Sequence, residues 1–201
     1  MKRNIALLMI VLQLVSCKQI VKSIVKESLE RSENESISDS NFKTLTVDSL
    51  YTISIPKYMK VMHTLNKEAS LQYANIYKEI YTIVIDENKQ EFADYFKELE
   101  AYDSELSLID NYTTIQKNFI TEGMDNVYKI EPYGLIEING YNARQFKLMG
   151  TVENQKIGYI IAFIEGKEKV FMIMNWTLLS KLSRYENTFE VINTSFEPIQ
   201  Q

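Results

Sequence analysis

The chain has 201 residues, 45 % of them hydrophobic, and its 22 basic and 27 acidic residues leave a formal charge of −5. So acidic a chain lacks the cationic surface that phosphates demand, which excludes nucleic acid as a partner. It is long enough to bury a core, and with Cys17 as its only cysteine it must fold without an internal disulfide.

Residues 1–16 divide as an export signal does. Lys2 and Arg3 supply a cationic start, and residues 5–12 form an unbroken apolar run. Gln13 ends that run well short of the roughly 20 residues that a membrane-spanning helix needs. Leu14-Val15-Ser16-Cys17 follows, the pattern of a lipobox: a branched apolar residue, a tolerant position, a small residue, then cysteine. The thiol receives a diacylglyceryl group, and the peptidase requires a small side chain before the bond it cuts. The expected mature N-terminus is therefore lipidated Cys17, held in a bacterial membrane by acyl chains such as palmitate. Each buried methylene contributes about 0.8 kcal/mol, so several such chains make the anchor permanent.

Residues 17–43 read as the lipidated cysteine with a tether, and residues 44–201 as one globular domain. In the tether Ile20, Val21, Ile24, Val25 and Leu29 recur at helical spacing, with Lys22, Lys26, Glu27 and Glu30 opposite. That pattern fits an amphipathic helix lying on the membrane, with Lys18, Lys22 and Lys26 towards headgroups. It fits equally a linker, or a helix packed on the domain. Residues 30–41 turn to Ser, Asn, Asp and Glu, the composition of a disordered segment.

From Thr44 onward the period changes to two. Tyr51, Ile53 and Ile55 alternate with Thr52 and Ser54 before Pro56, which predicts a strand with one buried face. Residues 61–65, 70–74 and 79–86 are expected to continue it as a meander. Asn88 and Glu91 then form a capping pair ahead of Phe92, Tyr95, Phe96 and Leu99 on one helical face. Leu108, Tyr112, Ile115 and Phe119 give a second helix that stops at Gly123. Strand signals return at 127–131 and 135–138, followed by Asn139-Gly140, a strong hairpin signal. Residues 145–153 and 157–165 flank a turn around Asn154-Gln155, and 170–176 completes the set. Residues 158–164 and 170–176 are apolar at nearly every position, so both faces of the sheet must be covered. Ser183 and Glu186, at capping-box spacing, open a last helix carrying Tyr185, Phe189, Ile192 and Phe196. The prediction is an α+β domain, an α/β/α sandwich around an antiparallel sheet of about seven strands with helices on both faces.

Several of these segments resemble a known group. Tyr51-Thr-Ile-Ser-Ile-Pro56, Ala69-Ser-Leu-Gln-Tyr-Ala74, Ile138-Asn-Gly-Tyr-Asn-Ala143 and Phe189-Glu-Val-Ile-Asn-Thr-Ser-Phe196, in that order, look like the PsbP-like superfamily. Its members include extrinsic photosystem II proteins and many small bacterial lipoproteins. The resemblance spans residues 44–198 and implies the α/β/α sandwich together with action by binding other proteins. It supplies no common catalytic residues. Where many relatives place Trp after the Pro of the first strand, this chain has Tyr58 and Met59.

Candidate chemistry is sparse. His63 is the only histidine and is expected in a strand among apolar neighbours, so a Ser-His-Asp triad has little to build on. Zinc sites of Cys and His lose their sulfur once Cys17 is lipidated. The six glycines are scattered singly, none opening a phosphate loop, and Gly166-Lys167 reads as a hairpin turn. No loop has the Asp/Asn spacing of a calcium site, so neither metal nor cofactor is expected. Asp86-Glu87, Glu122 with Asp125, and Glu131 fall at element ends where a catalytic acid pair could form, although an exported acidic chain scatters carboxylates there anyway. Asp48-Ser49-Leu50 fits a short bacterial O-glycosylation pattern.

Thirteen tyrosines remain, with Tyr73, Tyr77 and Tyr81 around one strand connection and Tyr128, Tyr133 and Tyr141 near another. Strands favour aromatic rings, and exposed tyrosines also make good contact surface. Tyr73, Tyr77 and Tyr133 are the candidate partner surface. The leading reading is a membrane-anchored lipoprotein without catalysis, a protein-binding or assembly module of the cell envelope, with Lys18 favouring the outer membrane over the inner. The alternatives are a carboxylate-dependent hydrolase of envelope or extracellular glycans, requiring two acids about 5–10 Å apart in a pocket, and a carrier of a small apolar ligand.

Overall fold

The computed structural model describes Glu35 and residues 37–199; the signal segment, Cys17 and most of the tether lie outside the described residues. After a short turn at Asp39–Asn41 come strands β1 (Phe42–Val47), β2 (Tyr51–Pro56), β3 (Lys60–Val61), β4 (Ala69–Asn75) and β5 (Ile80–Asn88). Helices α1 (Lys89–Glu98) and α2 (Leu108–Glu122) follow, then β6 (Asn126–Pro132), β7 (Glu137–Ile138), β8 (Tyr141–Val152), β9 (Gln155–Glu165) and β10 (Lys169–Leu178). Helix α3 (Leu182–Thr194) and β11 (Glu197–Pro198) close the domain. Strand β1 starts two residues ahead of the expected domain boundary at Thr44.

The main sheet has eight strands, in the order β3-β4-β5-β10-β9-β8-β6 with β7 hairpinned onto β8. Neighbours pair antiparallel throughout. Strands β1, β2 and β11 form a separate three-stranded sheet. This corrects the expected meander, in which Tyr51–Pro56 led into the main sheet. The alternation in β2 is as predicted, but its inward residues Tyr51, Ile53 and Ile55 pack flat on the main sheet and α3. A strand buried by one face can be satisfied by stacking as well as by joining the sheet, and periodicity does not distinguish the two.

Alternation in the central strands sends side chains into two cores. Ile160, Ala162, Ile164, Phe171 and Ile173 face α3 and the small sheet. Ile161, Phe163, Val170 and Met172 face α1 and α2. Covered on both faces, the middle stretches of β9 and β10 leave no position for a solvated residue, which explains why residues 158–164 and 170–176 are apolar at nearly every position. Each fully buried Ile or Phe contributes about 1.5–3 kcal/mol of transfer free energy.

Turn chemistry sets the register. Asn139 and Gly140 both have positive φ, 50° and 83°, and join Ile138 to its partner Tyr141 in a two-residue hairpin. The β8–β9 turn is made by Glu153 and Asn154, φ 48° and 65°, one residue earlier than the expected Asn154-Gln155. The predicted helix caps hold for α1, where Asn88 Oδ1 accepts from the Gln90 and Glu91 amides, and Gly123 ends α2. The capping box at Ser183 does not form. Helix α3 begins at Leu182 behind a turn at Leu179–Lys181, and Glu186 accepts from Lys147 at 2.6 Å instead. Leu182 is buried against Gly158, and this contact draws the helix start upstream of the serine.

Two predicted strands are shorter than expected. Of residues 135–138 only Glu137–Ile138 pair, leaving Leu135 and Ile136 exposed. Of residues 61–65 only Val61 belongs to β3, so His63 lies exposed in the β3–β4 connection rather than in a strand. The side chain of Gln72 on β4 takes the ladder's place there. Its Oε1 accepts from the Leu65 and Asn66 amides and its Nε2 donates to the Asn66 carbonyl, holding the loop in a bend.

Candidate functional site: the groove between α1 and α2

The end of β5 builds the first wall of a groove. Period-two alternation turns Asp86 and Glu87 to opposite faces of the sheet. Asp86 accepts from Lys169 at 2.5 Å, while Oε2 of Glu87 accepts from the Tyr112 hydroxyl at 2.5 Å and from Gln116 Nε2 at 2.9 Å. Asn88 then caps α1, which turns Phe92 and Phe96 inward and leaves Glu91, Tyr95 and Leu99 exposed. Helix α2 contributes Gln116 and Phe119 from the other side. Between them lies a groove of about 590 Å³ lined by Asp86, Glu87, Glu91, Tyr95, Phe96 and Phe119 among others.

A run of contacting rings leads from the core beneath the groove to its lining. Phe163 meets Tyr112 edge-on at 5.6 Å, Tyr112 meets Phe92 at 4.9 Å, and Phe92 meets Phe96 at 4.8 Å. Phe96 touches both Tyr95 and Phe119, at 5.1 and 6.0 Å, and these last two rings are 58 % and 54 % exposed. An aromatic path thus leads from the middle of the sheet to open surface. Burial and the Glu87 carboxylate push the Tyr112 phenol well above its ordinary pKa, so it stays a proton donor to Glu87 at physiological pH.

The carboxylates expected at element ends are engaged separately. Asp86 and Glu87 both border the groove but have different partners, Asp125 Oδ2 accepts from the Asn154 amide, and Glu131 is paired with Lys129, which holds its carboxyl below the usual range. Among the described residues, no group of three or more His, Cys, Asp or Glu side chains is placed to hold a metal ion. No helix among them is long and apolar enough to cross a membrane.

No protein-family model and no curated protein sequence matches the chain. Among solved structures, cyanobacterial PsbP (CyanoP) from Synechocystis sp. PCC 6803 superposes over 82 % of this chain and 96 % of its own, with TM-score 0.52 and 9 % identity. The fold is PsbP-like. The Ran-binding protein Mog1p of Saccharomyces cerevisiae superposes over 80 % of this chain and 96 % of its own, with TM-score 0.51 and 12 % identity. LpqN of Mycobacterium tuberculosis, described as involved in cell envelope biogenesis, covers 83 % of this chain and 99 % of its own, with TM-score 0.46 and 9 % identity. At such identities the likeness concerns the fold alone. The four segments that resemble the PsbP-like superfamily in sequence fall on β2, on β4, on the β7–β8 hairpin and at the end of α3.

In this PsbP-like domain the three candidate tyrosines do not form one patch. Tyr73 on β4 is half-buried beneath Lys43 Nζ, 4.8 Å from its ring, and lines a second groove of about 290 Å³ together with His63 and Asp48. Tyr77 is 91 % exposed in the β4–β5 turn. Tyr133 follows β6 at the far edge of the sheet, half-buried, with Lys147 Nζ 4.9 Å from its ring. Five strand spacings separate β4 from β6, about 24 Å. Ser49 of the possible glycosylation motif is exposed in the β1–β2 turn. The α1–α2 groove is not legible in the sequence, where helical spacing puts Tyr95 and Phe119 on the apolar faces of their helices; the structure leaves both exposed instead.

Proposed function

We propose that this protein is a bacterial lipoprotein, acylated on Cys17, whose PsbP-like domain is a protein-binding or assembly module of the cell envelope and has no catalysis of its own. The observation that carries the binding role is the α1–α2 groove, where half-exposed Tyr95 and Phe119 continue a core aromatic cluster onto the surface. Large aromatic side chains left exposed beside a cleft are the usual anchors of protein interfaces. The sequence Leu14-Val15-Ser16-Cys17 supports the anchor, and Lys18 favours the outer membrane. A protein described as Ran-binding shares the fold, which fits a scaffold used for surface contact. The hydrolase alternative would have to use Asp86 and Glu87 of this same groove, where Lys169 already binds Asp86 and where Tyr112 and Gln116 already bind Glu87.

Photo-crosslinking in the native envelope tests this reading. A benzophenone side chain in place of Tyr95 or Phe119 should capture one defined protein, and a probe at exposed Ser49 should not. Equal and diffuse labelling from all three positions would remove the groove as a partner surface.

A further inference from the structure

The α1–α2 groove is anionic as well as aromatic. Glu87 and Glu91 stand on the same opening as Phe92, Tyr95, Phe96 and Phe119, and Lys169, the one cation among the described residues that line it, is taken by Asp86 at 2.5 Å. The nearby Lys89 is paired with Glu165 at 2.6 Å. Among the described residues Glu87 is held by neutral donors, the Tyr112 hydroxyl and the Gln116 amide, both on Oε2. Its charge is thereby fixed in place without being neutralised.

Three classes of occupant behave differently here. An anion is repelled by Glu87 and Glu91. A purely apolar segment covers the rings but strips water from the carboxylates without replacing it, which is unfavourable. A side chain with an apolar stem and a cationic head satisfies both, because ring faces attract cations and the head forms a charge-assisted bond to the carboxylate. Arginine does this best, since its planar head stacks and its fork matches a carboxylate. The volume of about 590 Å³ exceeds one side chain, so the arginine must come with neighbours.

Resting on the reading of this groove as a protein-binding surface, we infer that its partner presents an arginine or lysine flanked by apolar residues, the stem lying across Tyr95 and Phe119 and the head reaching Glu87. The partner is thus an envelope protein with an exposed basic and apolar segment. Glu91 adds a second counter-charge at the rim.

The test uses the full-length protein in detergent, isotopically labelled, titrated with acetyl-Leu-Arg-Leu amide and with the same peptide carrying citrulline in place of arginine. Citrulline keeps the shape and removes the charge. The expected result is a set of amide shifts at Asn88, Glu91 and Gln116, with binding of the citrulline peptide weaker by about tenfold or more. Glu87→Gln and, independently, Glu91→Gln should reduce that discrimination, and Phe119→Ala should weaken both peptides. Equal binding of the two peptides, or shifts confined to other surfaces, overturns the inference. So does the appearance of the same groove shifts with phosphatidylethanolamine vesicles and not with the arginine peptide, which would assign the cation to a lipid headgroup. If crosslinking from Tyr95 captures a partner while the peptides are not discriminated, the groove binds protein but not through a cation. If crosslinking fails as well, the binding role itself is lost.

Discussion

Asn175 on β10 and Asn193 on α3 are hydrogen bonded at 2.8 Å inside the core, and neither has any exposed surface. Asn175 also accepts from Thr82 Oγ1 and donates to the Ile160 carbonyl. Asn193 donates to Gln145 Oε1, whose amide nitrogen reaches the Leu135 carbonyl. A polar chain therefore runs from β5 through β10 and α3 to β8 and the β6–β7 loop. Apolar packing allows a helix to slide along a sheet, whereas this chain fixes α3 at one position.

Replacing Asn193 by leucine strands the side chains of Asn175 and Gln145, and each stranded buried group costs about 1–3 kcal/mol. Urea unfolding of Asn193→Leu should show a clearly lower midpoint at unchanged slope. The double variant with Asn175→Leu should lose less than the two single losses added together, because both disrupt one network. Strict additivity would show that the bonds act independently.

Alkaline pH should unfold the domain in a way that tracks its buried phenols. Burial raises the pKa of Tyr51, Tyr112 and Tyr159 in the folded state, with the Glu87 carboxylate adding to the effect at Tyr112. A raised folded pKa means that the native state holds protons which the unfolded chain releases above about pH 10. The contribution of these phenols is therefore constant below that pH and falls as it is exceeded. Phenolate absorbance and circular dichroism should change together for these rings. Complete titration of all tyrosines with the fold intact would contradict this.

Acid acts through Asp110. Arg144 bonds it at 2.7 and 3.2 Å, and these bonds, with help from Ser107, hold its carboxyl below the ordinary value of 3.8. A depressed folded pKa gives stability that is present above that value and lost as pH falls through it. Both side chains are about a third exposed, so the contribution stays under about 1 kcal/mol. The stability difference between wild type and Asp110→Asn should be visible at neutral pH and vanish in acid. A difference that persists at low pH would assign the effect to the helix cap instead of the charge.

Gly150 is where β8 meets the edge strand β6. A Cβ there would run into the Asn126 carbonyl oxygen and the Met124 methyl group, and the carbonyl cannot move without its strand. Gly150→Ala should destabilise by about 1–3 kcal/mol. Hydrogen exchange should show the loss concentrated in residues 126–132. Protection of β6 equal to wild type would refute the close approach.

Periodicity made the central layer legible, because residues 158–164 and 170–176 are apolar at nearly every position, as strands covered on both faces are. Local chemistry was equally plain at Asn88, Gly123 and Asn139-Gly140, where one or two residues decide the geometry. Long-range arrangement was not. Nothing in Tyr51–Pro56 says whether the strand joins a sheet or stacks on one, and the Gln72 side chain that bends residues 62–66 reads as an ordinary strand residue. The groove escaped notice because Glu87, Tyr95, Gln116 and Phe119 come from three elements. The three candidate tyrosines, taken from two separate groups in the sequence, are kept apart by the strand order, which sets β6 and Tyr133 beyond it five strand spacings from Tyr73.

The claim that this domain works on a membrane rests on Cys17, and intact mass spectrometry of the protein extracted from its native envelope addresses it directly. A chain beginning at Cys17 and carrying diacylglyceryl and acyl mass is the predicted result. A free thiol at Cys17, or an N-terminus cut at any other bond, would contradict it.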